Sequence, residues 1–434
     1  MRWQSERQVT SEKGVIFTMN NSILRFTLCG FLFAFLLSSC TSASPEPINT
    51  TATSPWIMPV PPGTPTAMPC TIVSGGTVGV DELNATITES DHILGPADAP
   101  VTILVYSDFQ CYTCALMDNN LKQLYRANPN IVRIVFRYFP LTKTNENAGS
   151  AIQAVEAAAV QGKFWEMQEL LFQKQADWAG MDAAGFEAWA VEQAAGLGLD
   201  TTQFRSDYSS DAVKQVVANA VAFASAANAA SEPALPLLFI NSTTPYRGPV
   251  DSSNLAPVVR LMALARRQFT ACPAWQVDAL RQYIVTLHTA KGDVVIELDA
   301  DKSPLGVNSF VHLARSGWYD GVTFYRVTSV LAQTGDPSDT GFGNPGYLFS
   351  VETPLSLKFN RPGMVALMND GPETNGGRFF ITLAPAPQLE GQYTIIGQVL
   401  SGMDVISALS TRDPIPGQVL PAGDLLIQVL IEEK

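Results

Sequence analysis

Histidine is nearly missing from this chain: His92, His288 and His312 are the only three in 434 residues. None stands at the spacing of a metal-ligating pair, so no histidine-based metal centre is expected. Basic side chains are also scarce. Lys and Arg number 27 against 40 Asp and Glu, a formal net charge of −13. Such a balance offers no basic face for phosphates and excludes general nucleic-acid binding. Cysteine is absent from residues 273–434, and no second Cys-x-x-Cys occurs. The strongest apolar run, Phe26 to Leu37, is well short of the roughly 20 residues that span a bilayer.

That run suits a signal-peptide core, with Arg25 before it and Leu37-Ser38-Ser39-Cys40 after it. The ending resembles a bacterial lipobox, which implies that Cys40 is lipidated and becomes the new N-terminus. Residues 1–40 are thus read as a signal segment, with Met19 as a possible start. Residues 41–90 begin rich in Pro, Ser and Thr and read as an extended tether. The expected location is extracytoplasmic, at the cell surface or in a periplasm, with membrane attachment through the N-terminal lipid.

The chain is organised around Asp108-Phe109-Gln110-Cys111-Tyr112-Thr113-Cys114. An apolar strand-like run, Val101 to Ser107, precedes it, and a helical pattern from Ala115 to Leu124 follows. Cys111 therefore falls at a strand-to-helix turn. There the partial positive charge and free N–H groups of a helix N-terminus favour a thiolate. Cys114 lies one turn further on, within reach of a disulfide. Half of a zinc site or a structural pair would use the same spacing, but no further Cys or His pair completes a zinc site. Strand-like Ile131–Phe139, helix-like Ala148–Gln161, Phe164–Lys174 and Asp211–Ala227, strand-like Leu237–Ile240 and helix-like Ser252–Arg267 give an α/β order with a helical insertion.

His92-x-x-Gly95 to Pro100, the Cys111/Cys114 motif, Phe136-Arg137-x-Phe139-Pro140-Leu141 and Gln161-Gly162-Lys163-Phe164-Trp165 together resemble the DsbA-type thioredoxin-fold oxidoreductases. The resemblance implies a thioredoxin-like domain over residues 91–272, with Pro236 as a cis-proline facing the redox pair Cys111 and Cys114. The dipeptide Tyr112-Thr113 carries no positive charge, so a less oxidising couple than the strongest oxidases is expected, with the direction of exchange left open. With Cys40 taken by lipid and Cys29 removed with the signal, four thiols remain. Cys111 and Cys114 pair by proximity, which leaves Cys70 and Cys272 as a structural bridge between the start and end of this domain.

Residues 273–282 read as a connector. Beyond it, strand-like Tyr283–Thr289 and Asp293–Leu298 flank the hairpin signal Ala290-Lys291-Gly292, and Pro304–Ser316 reads as a helix. Short strands and Gly/Pro-rich loops follow, the pattern of an antiparallel barrel. Phe324-Tyr325-Arg326-Val327, Ala332-Gln333-Thr334-Gly335-Asp336, Gly363-Met364 to Asn369, Gly371-Pro372-x-Thr374-Asn375-Gly376-Gly377-x-Phe379-Phe380-Ile381 and Gly397-Gln398-Val399 resemble the cyclophilin-type peptidyl-prolyl isomerases. The fold expected for the whole is multidomain: an α/β thioredoxin-like domain, then a cyclophilin-like β-barrel over 283–434.

This second resemblance implies that Arg326 stabilises a twisted prolyl amide. Gln333 would position the substrate and Arg326, and the backbone of Asn369 would pair with the substrate chain. Phe380, Leu331 and Leu389 would grip the proline ring. Neither chemistry requires a metal or cofactor. Val330 stands where the family usually has Phe, Arg378 where Gln is usual, Tyr325 and Tyr393 where His is usual, and Gln388 where Trp or Phe is often found. A weakened pocket is expected, and Arg378 would favour acidic residues near the proline. The implied protein assists folding of secreted chains that carry X-Pro bonds and cysteines, with a redox partner left unknown. The alternative is a thiol–disulfide oxidoreductase whose second domain only binds Pro-containing clients.

Overall fold

The computed structural model describes residues 66–73, 86–231, 234–414, 420 and 422–434. The apolar run Phe26–Leu37 and Cys40 lie outside the described residues. Among the described residues no helix is long and apolar enough to cross a membrane.

The first module is built on a four-stranded sheet in the order 92–94, 132–138, 101–107, 237–240. Val101–Ser107 runs parallel to Val132–Tyr138, while His92–Leu94 and Leu237–Ile240 are antiparallel edges. One face of the central strands is almost wholly apolar, while the other mixes Leu104 and Val135 with Thr102, Tyr106, Arg133 and Arg137. Val101, Ile103, Val105, Ile134 and Phe136 pack into the main core, and Leu104 and Val135 form a smaller cluster behind. The insertion is entirely helical. Besides Ala148–Val160, Phe164–Gln173 and Asp211–Ser231 it holds Ala183–Gly196 and Thr201–Tyr208, which the sequence reading left unassigned. Their starts are set by Asp182 and Asp200, whose carboxylates accept the first-turn N–H groups of Gly185 and of Thr202 and Gln203.

The second module is a nine-stranded antiparallel sheet with the helix Pro304–Arg315 packed on it. Its two end strands, Val322–Thr323 and Arg326–Val327, are separated in the chain only by Phe324 and Tyr325. That short link draws the two edges of the sheet together and curls it into a barrel. Val285, Leu287, Ile296, Phe310, Trp318 and Phe379 fill the interior.

Two stretches differ from the sequence reading. Residues 66–73, read as tether, are built into the second module. Thr71–Ile72 pairs with Tyr347–Leu348, Ala67 bridges Ala274, and Met68 is buried in the barrel-side core. Cys70 is joined to Cys272, with Cα atoms 5.8 Å apart. The disulfide therefore ties this strap to the chain entering the second module, and Cys70 packs against that module's core. The connector 273–282 is likewise packed: Trp275 and Val277 lie against the same core, and Gln276 N donates to Asn308 Oδ1 at 2.7 Å. At the other end of the tether reading, Ile87 already packs against Leu104 and Val135, so the first module begins before residue 91.

Candidate functional sites

Cys111 is the N-cap of the helix Tyr112–Ala127, and its sulfur accepts the Cys114 N–H at 3.3 Å. The residue is half-buried, whereas Cys114 is buried, and both are free thiols. Thr113 Oγ1 lies 3.2 Å from both Cys111 Sγ and the Leu235 carbonyl oxygen, so its one proton can serve either acceptor. That carbonyl belongs to the cis Leu235–Pro236 bond, so the Pro236 loop stands directly across from the thiol pair. The hydrogen bond from the Cys114 thiol, aided by Thr113 and the Cys114 N–H, lowers the Cys111 pKa to about 6 despite partial burial. The same thiol–thiol bond, together with burial, pushes Cys114 upward. One sulfur is thus an accessible thiolate near neutral pH and the other a protected thiol. Asp108 accepts from Gln110 N and Leu141 N at 2.7 and 2.6 Å and holds the loop before Cys111.

In the second module, strand register brings the expected residues together. Arg326 stands opposite Gln333, Gln333 opposite Phe380, and Phe380 opposite Ala366. Directly paired residues on antiparallel strands share a face, so these four form one row across the sheet. Leu331, two positions before Gln333, lies on that face as well. Phe380 is buried among Phe359, Met364, Ala366 and Ile395, with Val330, Leu331, Met368, Leu389 and Tyr393 partly buried around it. Tyr393 meets the Phe380 ring edge-on at 5.4 Å. The result is an apolar floor beside a cation, as a prolyl ring next to a polarised amide would need. Asn369 follows the strand Met364–Leu367, its Nδ2 donating to Gln392 O at 2.9 Å.

Two expectations for this site are corrected. Gln333 does not anchor Arg326: its Nε2 donates to Met368 Sδ at 3.7 Å, while Arg326 Nε donates to Asp413 Oδ1 at 2.6 Å. Asp413 carries no motif, lies 87 residues from Arg326 and was missed by the sequence reading. Nor is Arg378 a spare cation. It is buried, donates to the Gly341 carbonyl and pairs with Asp370. An acidic substrate residue would have to displace Asp370.

Residues 284–427 match the family model described as cyclophilin-type peptidyl-prolyl cis-trans isomerase, and residues 87–254 match one described as thioredoxin. The chain is 42% identical over 137 residues to "Peptidyl-prolyl cis-trans isomerase CYP18-1" of Arabidopsis thaliana, covering 31% of this chain and 86% of that protein. It is 43% identical over 136 residues to "Peptidyl-prolyl cis-trans isomerase-like 3" of Mycosarcoma maydis, covering 30% of this chain and 81% of that protein. A crystal structure of a Cryptosporidium parvum cyclophilin-type isomerase is 29% identical, with a TM-score of 0.33, and covers 35% of this chain and 98% of that one. Through residues 284–427, which follow a thioredoxin-like domain, the chain belongs to the cyclophilin-type peptidyl-prolyl cis-trans isomerase family.

Proposed function

We propose that this protein isomerises prolyl bonds at Arg326 and exchanges disulfides at Cys111 and Cys114, acting on secreted chains as they fold. The observation that carries the first activity is the row Arg326–Gln333–Phe380 beside its apolar cluster. Rotation about an X–Pro bond meets a barrier of about 18–20 kcal/mol because amide conjugation is lost at the twisted midpoint. There the proline nitrogen regains its lone pair. A guanidinium donor at that nitrogen stabilises the twisted form more than either planar form. Phe380, Leu331 and Leu389 hold the ring while the acyl part turns, and no covalent bond forms.

At the other site the Cys111 thiolate attacks a client disulfide sulfur and forms a mixed disulfide, releasing the second client sulfur as a thiolate. Cys114, once deprotonated, attacks Cys111 Sγ and releases the reduced client, leaving Cys111–Cys114 oxidised. The reverse sequence oxidises a client dithiol. Lipidation at Cys40 would keep both activities at an extracytoplasmic membrane surface, where unfolded clients and an external redox partner meet the enzyme. Isomerisation and disulfide exchange are both slow in unaided folding, which is the physical reason to carry them on one chain.

The test is a protease-coupled prolyl-peptide assay on the full chain beside Arg326→Ala. A large loss of kcat/KM is expected. Equal rates would remove Arg326 from the mechanism.

A further inference from the structure

We propose that Asp413 is a positioning residue for the isomerase site, anchoring Arg326 through Nε so that its two terminal amino groups face the substrate amide. The proposal rests on the isomerase reading above. Arg326 lies on a two-residue edge strand, and its side chain is 40% exposed. A long arginine side chain in solvent carries much rotamer entropy. Unless something holds it beforehand, that freedom is lost only as the twisted amide forms, which raises the barrier.

The restraint comes from the chain after Ser410. Arg412 N donates to Val327 O at 2.9 Å and Val327 N donates back to Arg412 O, so the two neighbours of the acid and the guanidinium are paired through their main chains. That pairing places the Asp413 carboxylate 2.6 Å from Arg326 Nε. Arg412 fixes the loop further, its Nε donating to Tyr325 O at 3.1 Å and its guanidinium lying 3.5 Å from Asp339. Asp339 also accepts from Thr323 and lies 3.6 Å from Arg260, on the last helix of the thioredoxin module. The acid is therefore held by a frame that reaches both modules.

The point of attachment matters. A fork-on-fork pair would occupy the terminal nitrogens. Contact at Nε alone leaves Nη1 and Nη2 without a partner among the described residues. The hydrogen bond from Arg326 also holds the Asp413 carboxyl below its usual range, so the anchor is charged at neutral pH.

Prolyl isomerisation is measured with the full chain for wild type, Asp413→Ala, Asp413→Asn, Arg326→Ala and the Asp413→Ala/Arg326→Ala double variant. Asp413→Ala is expected to lower kcat by about two- to fivefold, the range of an exposed ion pair, with KM little changed. Asp413→Asn keeps an acceptor oxygen and is expected to recover most of that loss. On the Arg326→Ala background, removing Asp413 leaves the residual rate unchanged. Wild-type kcat in Asp413→Ala, or an equal fall on both backgrounds, overturns the proposal alone. An inactive wild type, or full activity in Arg326→Ala, overturns the site assignment and the proposal with it.

Discussion

Met68 Sδ accepts a hydrogen bond from Asn308 Nδ2 at 3.4 Å, across 240 residues of sequence. Asn308 is itself buried on the helix Pro304–Arg315 and also binds Ala274 O and Gln276 N. The strap ahead of the thioredoxin module is thus part of the isomerase module's core. Met68→Ala should destabilise the C-terminal module by about 2–5 kcal/mol, the usual range for truncating a buried methionine. Urea unfolding of the full chain reads this, and a change near zero would mean that the strap is dispensable.

Cys111 should react with an alkylating reagent along a pH curve with its midpoint at about 6, while buried Cys114 stays unreactive. Because the Cys111 pKa is depressed on folding, its ionisation stabilises the folded reduced protein above the unfolded thiol's pKa. That contribution is lost as pH falls toward about 6. Thr113→Val, which removes the hydroxyl that can donate to the sulfur, should move the midpoint upward. An unchanged midpoint would exclude the hydroxyl as a cause.

Val330 lies at the margin of the Phe380 cluster, partly buried. Val330→Phe would add apolar area where a proline ring is expected to bind. A gain of about 1 kcal/mol, a fraction of one buried side chain, corresponds to about fivefold in kcat/KM. Overpacking is the competing effect. An unchanged kcat/KM in a variant of wild-type stability would show that the pocket lies elsewhere.

Glu352 accepts the N–H groups of Leu305 and Gly306 at the start of the helix Pro304–Arg315. Burial nonetheless raises its pKa from 4.5 to about 7. Here the folded protein holds the proton more tightly than the unfolded chain. Stability of this module should therefore rise as pH falls from about 7 toward 4.5. Glu352→Gln should flatten that part of the stability profile. A profile identical to wild type would assign the pH dependence to other groups.

Much of this protein was legible in local chemistry. The Cys-x-x-Cys spacing placed two thiols at a strand-to-helix turn, and apolar patterning placed Val101–Ser107 and Tyr283–Thr289 as strands at the bounds observed. The helices Ala183–Gly196 and Thr201–Tyr208 went unread because their apolar residues do not form a clean stripe, although Asp182 and Asp200 stood as N-cap signals. The short strap around Met68 was read as tether because a lone apolar residue and a two-residue strand have no period to detect. Charges were the least legible of all. Arg326 and Arg378 look alike in sequence, yet one is held by Asp413 with its fork open and the other is buried against Asp370. A residue's type and near neighbours state what chemistry it is capable of. Its partner across tens or hundreds of residues decides whether that capacity is used, because ion pairs and core contacts depend on distance in space and leave no mark in sequence spacing.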